Sequence, residues 1–193
     1  MCIRDRQGAV SEYNHSERTG DGNNHNINFF SDLYEIKTSL NHKSIIDVNS
    51  EGLIGFHFQN YDQGALGQEE SHLVHTRTSS FALFALESFN FDLFDLDIGG
   101  RVESVNLKNT SMEKGFFPGA FSSTIKKEIF NNNSVFGGFD FTQRAPNAVE
   151  LFANGPHHAQ EKFEVGDSNM DVETSYNFYL GNSYNDGLDL SLI

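Results

Sequence analysis

Apolar and polar residues alternate along most of this chain, so that one parity of positions is apolar and the other is polar. Leu93–Val105 is the clearest case. Ile98 and Val102 share one parity there, and Asp97 falls on the other. A period of two sends successive side chains to opposite faces, which is typical of a β-strand with one apolar and one polar face. The pattern therefore predicts strands whose two faces meet different surroundings.

The alternation predicts about eight strands and no long helix, which makes the fold all-β. The predicted strands are Leu33–Leu40, Val48–Asn60, Ser79–Phe89, Leu93–Val105, Phe121–Ile129, Val135–Arg144, Tyr176–Leu180 and Leu188–Leu192. Both parities of Ser79–Phe89 are apolar, so the pattern does not indicate which side of that strand faces which surroundings.

Short and long connections alternate between these strands. The short ones, Asn41–Ile46, Asn90–Asp92, Asn131–Asn133 and Asn185–Gly187, are rich in Asn, Asp and Gly, as tight turns require. The long ones are Tyr61–Arg77, Asn106–Phe117 and Ala145–Glu173. An antiparallel transmembrane β-barrel has short turns at one rim and long loops at the other, so this regularity favours a barrel. The alternative is a sandwich or jelly roll whose polar face meets solvent.

Composition narrows the classes of function. The chain has 193 residues, with 13 basic against 27 acidic side chains and a net charge of −14, which argues against a nucleic-acid partner. The hydrophobic share of 37% argues against disorder. The single cysteine, Cys2, excludes an internal disulfide framework. No stretch approaches the ~18 apolar residues of a transmembrane helix.

The two ends of the chain predict an internal fragment of a longer protein. Met1–Gln7 has no apolar region and is not a signal peptide, and its sequence is typical of a vector or gene-calling remnant. We therefore treat residues 1–29 as a poorly defined N-terminal segment with a non-native start. Residues 30–193 form the predicted partial barrel domain, which stops within an alternating run.

The stretch Gly138–Leu180 contains several short motifs in series. They are an R-x-P-x-x-x-E-L block, a G-P-H segment, an E-x-G-D turn and an acidic-x-Ser strand start, carried by Arg144, Pro146, Glu150, Leu151, Gly155, Pro156, His157, Glu164, Gly166, Asp167, Glu173 and Ser175. This series closely resembles the late-barrel signature of TonB-dependent outer-membrane receptors. The chain departs from it at Met170–Glu173, where the family often has Leu-x-Pro-Glu.

The resemblance extends over roughly residues 30–193 and implies a 22-stranded barrel with an N-terminal plug, in the lipid of the bacterial outer membrane. It also implies that the TonB energy-transducing complex is a partner, through an N-terminal region missing here. About eight strands of that barrel are present in this chain.

Other segments are similar to the branch of these receptors associated with zinc uptake. They are Tyr61–Glu70, Thr76–Thr78, Leu83–Glu87 and Gly99–Glu103. The resemblance therefore implies active import of a scarce metal or metal chelate, with zinc as the first candidate. A receptor for a ferric siderophore or another chelate is the alternative within the superfamily, and a soluble β-sandwich that binds a ligand is the alternative outside it.

Two groups of histidines are candidate metal ligands. His157 and His158 lie in the longest connection, with Glu150, Glu161 and Glu164 nearby. Zn²⁺ binds imidazole nitrogen and carboxylate oxygen, so this set predicts a zinc site, with the metal as a transported ligand and not a resident cofactor. The competing interpretation makes His157 part of a structural turn and His158 an exposed polar residue.

His72 and His75 form the second candidate group, beside Glu69 and Glu70 in another long loop. His57 lies on the polar face of its strand, where we expect it to line a lumen.

We predict no catalytic residues. Asp95, Asp97, Arg101 and Glu103 share one strand face, and we interpret the row as a lumen wall. A barrel enzyme would need a nucleophile–base pair, and no Ser–His spacing indicates one. Pro146 is expected to end a strand and to occupy the first position of a short helical turn that reaches Phe152.

Overall fold

The computed structural model describes residues 4–18, 26–43, 49–67, 72–130, 132–157, 161–185 and 189–192. The long strands are β1 (Arg4–Arg18), β2 (Asn26–Lys43), β3 (Ser50–Gly67), β4 (Thr76–Asn90), β5 (Asp95–Lys108), β7 (Gly119–Phe130), β8 (Asn133–Arg144) and β11 (Glu173–Asn185). The short elements are β6 (Glu113–Phe116), α1 (Ala148–Phe152), β9 (Asn154–His157), β10 (Lys162–Val165) and β12 (Asp189–Leu192). No helix in these ranges is long and apolar enough to cross a membrane.

One antiparallel sheet dominates the fold, in the order β1-β2-β3-β4-β5-β7-β8-β11-β12, with β6 paired to β5. The strands β9 and β10 form a separate two-stranded sheet. Each strand of the main path pairs with the next one along the chain, apart from the short insertions in the loops. Among the described residues β1 and β12 are not paired with each other, so the sheet is an open part of a barrel.

All eight predicted strands are present. Among the described residues the structure adds one long strand, β1, and the short strands β6, β9 and β10, which the periodicity missed. β1 pairs with β2 along its whole length, from Arg4 opposite Leu40 to Arg18 opposite Asn26. Its sequence, RDRQGAVSEYNHSER, carries polar residues on both faces, so it has no contrast between parities to detect. The segment is a strand because its backbone pairs with the amphipathic strand β2. The sequence of β1 alone does not indicate this pairing.

The predicted strands from β2 to β11 are longer in the structure than in the prediction, and the long connections between them are correspondingly shorter. β2 and β3 each have 18 residues, whereas crossing a bilayer needs about 9–11. β3 runs to Gly67 and β4 starts at Thr76, so most of the predicted loop Tyr61–Arg77 is paired strand. The ends of these strands show no apolar alternation, but their backbones still pair: β3 pairs with β4 up to Gln63 and with β2 up to Gly67.

The pairing register places the apolar residues of every central strand on the same face of the sheet. In one row Ile54 of β3 lies opposite Ala85 of β4, and Gly100 of β5 lies opposite Phe121 of β7. We call this surface the apolar belt; it comprises Tyr34, Ile36, Ile54, Phe56, Phe58, Phe81, Leu83, Val102, Phe121, Ile125, Phe139, Phe141, Tyr176, Phe178 and Leu180. The belt lies open: Leu83 is 51% exposed and Phe178 is 77% exposed.

The opposite face is polar, and its charged groups bind one another. His57 Nε2 lies 2.7 Å from Glu35 Oε1, and Arg101 Nη2 lies 3.3 Å from His57 Nδ1. Arg101 also pairs with Glu103 at 3.1 Å. Arginine can only donate, so His57 accepts at Nδ1 and donates from Nε2 to the carboxylate. His57 therefore lies on the polar face, as its parity predicts.

The accessible surface excludes a sandwich. The chain exposes 13164 Å², whereas a compact monomer of 21.7 kDa exposes roughly 9,200 Å². No second sheet covers the apolar belt in the described part of the chain. A soluble sandwich buries such a face between its two sheets, so the alternative fold is wrong.

We expect the apolar belt to face lipid. Replacing Leu83, near the middle of the belt, with Arg should cost about 2–4 kcal/mol of unfolding free energy, because a cation near the bilayer midplane is poorly solvated. Urea unfolding of the protein in lipid vesicles measures this cost. The matched control is Thr142→Arg on the polar face, which should cost far less; equal losses would contradict a lipid-facing belt.

Candidate functional site

The connection between β8 and β11 folds into a compact platform that contains α1, β9 and β10. Asn147 caps α1: its side chain accepts from the Glu150 amide at 2.9 Å. The Glu150 carboxylate accepts from the Asn147 amide at 2.8 Å, which completes a capping box. Pro146 therefore precedes the cap and does not occupy the first helical position, a correction to the predicted start of this turn. The helix ends at Phe152, as predicted.

Arg144 ties this helix to the sheet. Its two terminal nitrogens donate to the two carboxylate oxygens of Glu150, each at 2.9 Å. The guanidinium also donates to Glu173 at the start of β11, at 2.8 Å. The Arg144 hydrogen bonds, followed by that from the Asn147 amide, lower the pKa of the Glu150 carboxyl. Both oxygens of this predicted metal ligand are thus bound to Arg144.

A small core lies beneath the platform. It contains Leu107 of β5, Phe116 of β6, and Ala148, Leu151 and Phe152 of α1. Leu107 and Leu151 are 1% and 2% exposed. Leu107 has the same parity as Arg101 and Glu103 and therefore lies on the polar face of β5. The helix packs on that face, nearer the end of the strand than the charged residues Arg101 and Glu103.

Gly166 allows the chain after β10 to return against α1. Its amide donates to Ala153 at 2.7 Å, and the next amide, of Asp167, donates to the carbonyl of Glu150 at 2.8 Å. A Cβ at Gly166 would lie 2.7 Å from the carbonyl carbon of Leu151 and 2.8 Å from the Glu150 oxygen. The backbone after β10 therefore packs directly against the backbone of α1 and completes the platform.

The loop between β3 and β4 joins the platform through its backbone. The His72 amide donates to the carbonyl of Pro156 at 3.2 Å, and the Asn154 amide donates to the carbonyl of His72 at 3.3 Å. These two bonds place residue 72 alongside β9. His72 and His157, which belong to different predicted groups, consequently meet.

Three side chains converge at this junction, and we call them the histidine site: His72, His157 and Glu164. One donor atom from each lies within 4.8 Å of the others. His157 Nδ1 is 2.9 Å from Glu164 Oε1, and His72 Nε2 is 3.9 Å from Glu164 Oε2. The two imidazole rings stack with their centroids 4.3 Å apart.

The histidine site is half-buried, and its charges are partly compensated. The side chains of His72, His157 and Glu164 are 12%, 26% and 29% exposed. The hydrogen bond from His157 is the main cause that lowers the pKa of the Glu164 carboxyl. Nδ1 of His72 is buried and has no hydrogen-bond partner among the described residues. Two imidazoles and one carboxylate form a donor set that suits Zn²⁺, whereas Ca²⁺ and Mg²⁺ prefer oxygen donors.

The other predicted ligands within the described residues are not part of the histidine site. His75 Nε2 lies 2.7 Å from Asp62, which also accepts from Arg77 at 2.8 Å. His158, Glu69 and Glu70 lie outside the described residues. Glu161 is exposed and has a positive φ of 51°. Three glutamates lie near His157 in the sequence. Only Glu164 joins the histidine site, because the strand Asn154–His157 pairs with Lys162–Val165. Interpreting the segments NGPH and KFEV as two short strands joined by a turn would have predicted this pairing from the sequence.

Gly166→Ala should destabilise the platform, because the added methyl group must displace the backbone of α1. We expect a loss of about 1–3 kcal/mol of local stability, seen as faster protease cleavage within residues 145–172. Gly115→Ala is the control, since a Cβ there meets nothing within 4 Å. Unchanged cleavage in Gly166→Ala would contradict the close backbone approach.

The contact between Arg144 and Glu150 predicts a pH dependence. The folded pKa of Glu150 lies below its ordinary value of 4.5, so the stability from this contact is fully present above that pH. It is lost as the pH falls through the lowered folded pKa. Hydrogen exchange of the Ala153 amide, corrected for its intrinsic rate, should show constant protection from pH 7 to 5 and weaker protection below 4.5.

Glu150→Gln is the control for that measurement, since it removes the titrating group while keeping a side chain of the same length. The variant should have a flatter profile and weaker protection at neutral pH. An unchanged pH profile in Glu150→Gln would assign the dependence to another group.

The sequence was also compared with protein-family models. The model described as TonB dependent receptor-like, beta-barrel matches residues 4–192. The match includes β1, although the resemblance seen in the sequence began near residue 30. An exposed apolar belt, a polar opposite face and long loops at one edge agree with the architecture of an outer-membrane barrel. The chain therefore belongs to the TonB-dependent receptor β-barrel family, and it is an outer-membrane protein of TonB-dependent transport.

Proposed function

We propose that this receptor imports a scarce metal, as the ion or as a chelate, with zinc as its first cargo. The observation that carries the proposal is the convergence of His72, His157 and Glu164 from two loops. These loops lie at the edge of the sheet where all the long connections gather. In outer-membrane barrels that edge faces the cell exterior, where cargo arrives.

The chemistry of the donors favours a zinc-class cargo over a ferric chelate. Imidazole nitrogen with carboxylate oxygen suits a borderline divalent ion such as Zn²⁺. The similarity of Tyr61–Glu70 and Gly99–Glu103 to the zinc-uptake branch supports the same choice.

A chelate receptor is the second candidate, and a cavity on the polar face supports it. The cavity has a volume of about 570 Å³ and is lined by residues that include Lys37, Phe84, Arg101 and Asp140. This volume is in the range of small-molecule sites, about 300–1,000 Å³. Side chains of both charges around an aromatic ring could hold an organic chelate.

Energy for import is expected from the TonB complex, which in this proposal contacts a region of the receptor outside residues 4–192. We also propose that the row Asp95, Asp97, Arg101 and Glu103 is a wall of the lumen. Arg101 and Glu103 bind each other, and Asp97 accepts from Ser88 at 2.5 Å, so this row acts as a paired polar surface and not as an acid–base site.

Cargo is tested by growth and uptake with the intact receptor in its outer membrane. A deletion strain carrying the receptor should grow better than the empty deletion strain when zinc is limiting, and should accumulate ⁶⁵Zn only when TonB is present. Iron limitation with added ferric siderophores is the parallel arm. Rescue by siderophore without any effect of zinc would replace the zinc proposal with the chelate one.

A further inference from the structure

We propose that His72, His157 and Glu164 bind a zinc-class divalent cation directly, as an ion stripped of its chelator, and so join the two loops that carry them. The inference rests on the proposed function for its biological meaning, because the captured ion is the cargo. Binding of the ion is nevertheless measurable without transport.

The first support is that the histidine site has a built scaffold. His157 and Glu164 come from the paired strands β9 and β10, in which Gly155 lies opposite Glu164. His72 is fixed to β9 by the two backbone hydrogen bonds with Pro156 and Asn154. The hairpin in turn is held to α1 through Gly166 and Asp167. The three donors are therefore preorganised by backbone contacts.

The second support is the spacing of the donor atoms. Zinc bonds to nitrogen and oxygen of about 2.0–2.2 Å place tetrahedral donors about 3.3 Å from one another. The separations from Glu164 to His157 and to His72, 2.9 Å and 3.9 Å, lie on either side of that value. The third separation, between the two imidazole donors, is at most 4.8 Å, so the stacked rings must tilt for all three donors to bind one ion.

The number of protein donors, three, suits an ion that is bound and then released. Three protein donors leave the fourth position of a tetrahedral zinc ion open, unlike structural zinc sites, which are closed by four. The site is also partly exposed, with Glu164 at 29%. An ion held in this way can exchange its fourth ligand with water or with the next donor, as a transported ion must.

The experiment titrates Co²⁺, and then Zn²⁺ in competition, into the intact receptor in detergent micelles, and follows the visible d–d absorption of Co²⁺. We expect one tight site in the wild type. His72→Ala and Glu164→Gln should each weaken binding at least about tenfold and reduce the absorption typical of low coordination number.

Matched controls are available in both loops. His75→Ala changes a histidine of the same loop that binds Asp62, and Glu161→Gln changes an exposed glutamate three residues before Glu164. Both should bind Co²⁺ as the wild type does. Each variant is first checked for the heat-dependent gel shift of a folded barrel, so that loss of binding is separated from loss of folding.

The outcomes distinguish this inference from the proposed function. Unchanged binding in His72→Ala and Glu164→Gln overturns the inference, even if zinc uptake by the wild type is confirmed. Equal loss in the His75→Ala control also overturns it. Loss confined to the histidine-site variants supports the inference, and if uptake then responds only to ferric siderophores, the zinc function fails while the metal site stands.

Discussion

The constraint on which this structure depends is that lipid offers no hydrogen bonds to a polypeptide backbone. Every amide and carbonyl of a strand in the hydrocarbon region must therefore pair with a neighbouring strand. Continuous antiparallel pairing from β1 to β12 meets this need for the described residues between the two edges of the sheet. Because one face of the sheet meets lipid and the other meets water or protein, most of the strands alternate between apolar and polar residues. Phe58 and Phe81 lie on the apolar belt while His57 and Ala82 lie on the polar face.

Beyond the belt the same backbone is free to leave the sheet, and there local interactions take over. The platform after β8 is held by Arg144, which connects the end of one strand to α1 and to the start of the next. Exposed ion pairs usually contribute little, but a guanidinium that binds both oxygens of Glu150 also fixes orientation. Gly166 then lets a second backbone pack on the helix. The family signature is, in this chain, chiefly the set of contacts that builds this platform.

The histidine site depends on that platform. The pairing of β9 with β10 places His157 and Glu164 diagonally across the hairpin, and His72 reaches them because its own backbone bonds to β9. Lower on the polar face, Glu35, His57, Arg101 and Glu103 form a connected cluster. Ala82, which is 0% exposed, lies opposite both His57 and Glu103 in the registers of β4. The small side chain leaves room for Arg101 to reach His57 across β4. The proposed capture of a cation at the loops would place the ion above this charged cluster.

The sequence by itself determined the all-β class, the eight central strands, the face on which His57 lies and the edge where the long loops gather. Each of these follows from local periodicity and turn composition, because a strand in a two-sided environment must repeat its surroundings every second residue. Tertiary structure alone decided that the polar segment Arg4–Arg18 is a strand, since pairing with β2 and not its own pattern orders it. It also decided which predicted ligands meet. Glu150 is bound by Arg144 and His75 by Asp62, while His72, His157 and Glu164 are brought together by backbone bonds between loops distant in sequence. Such long-range pairing leaves no period in the chain, so only the folded backbone specifies it.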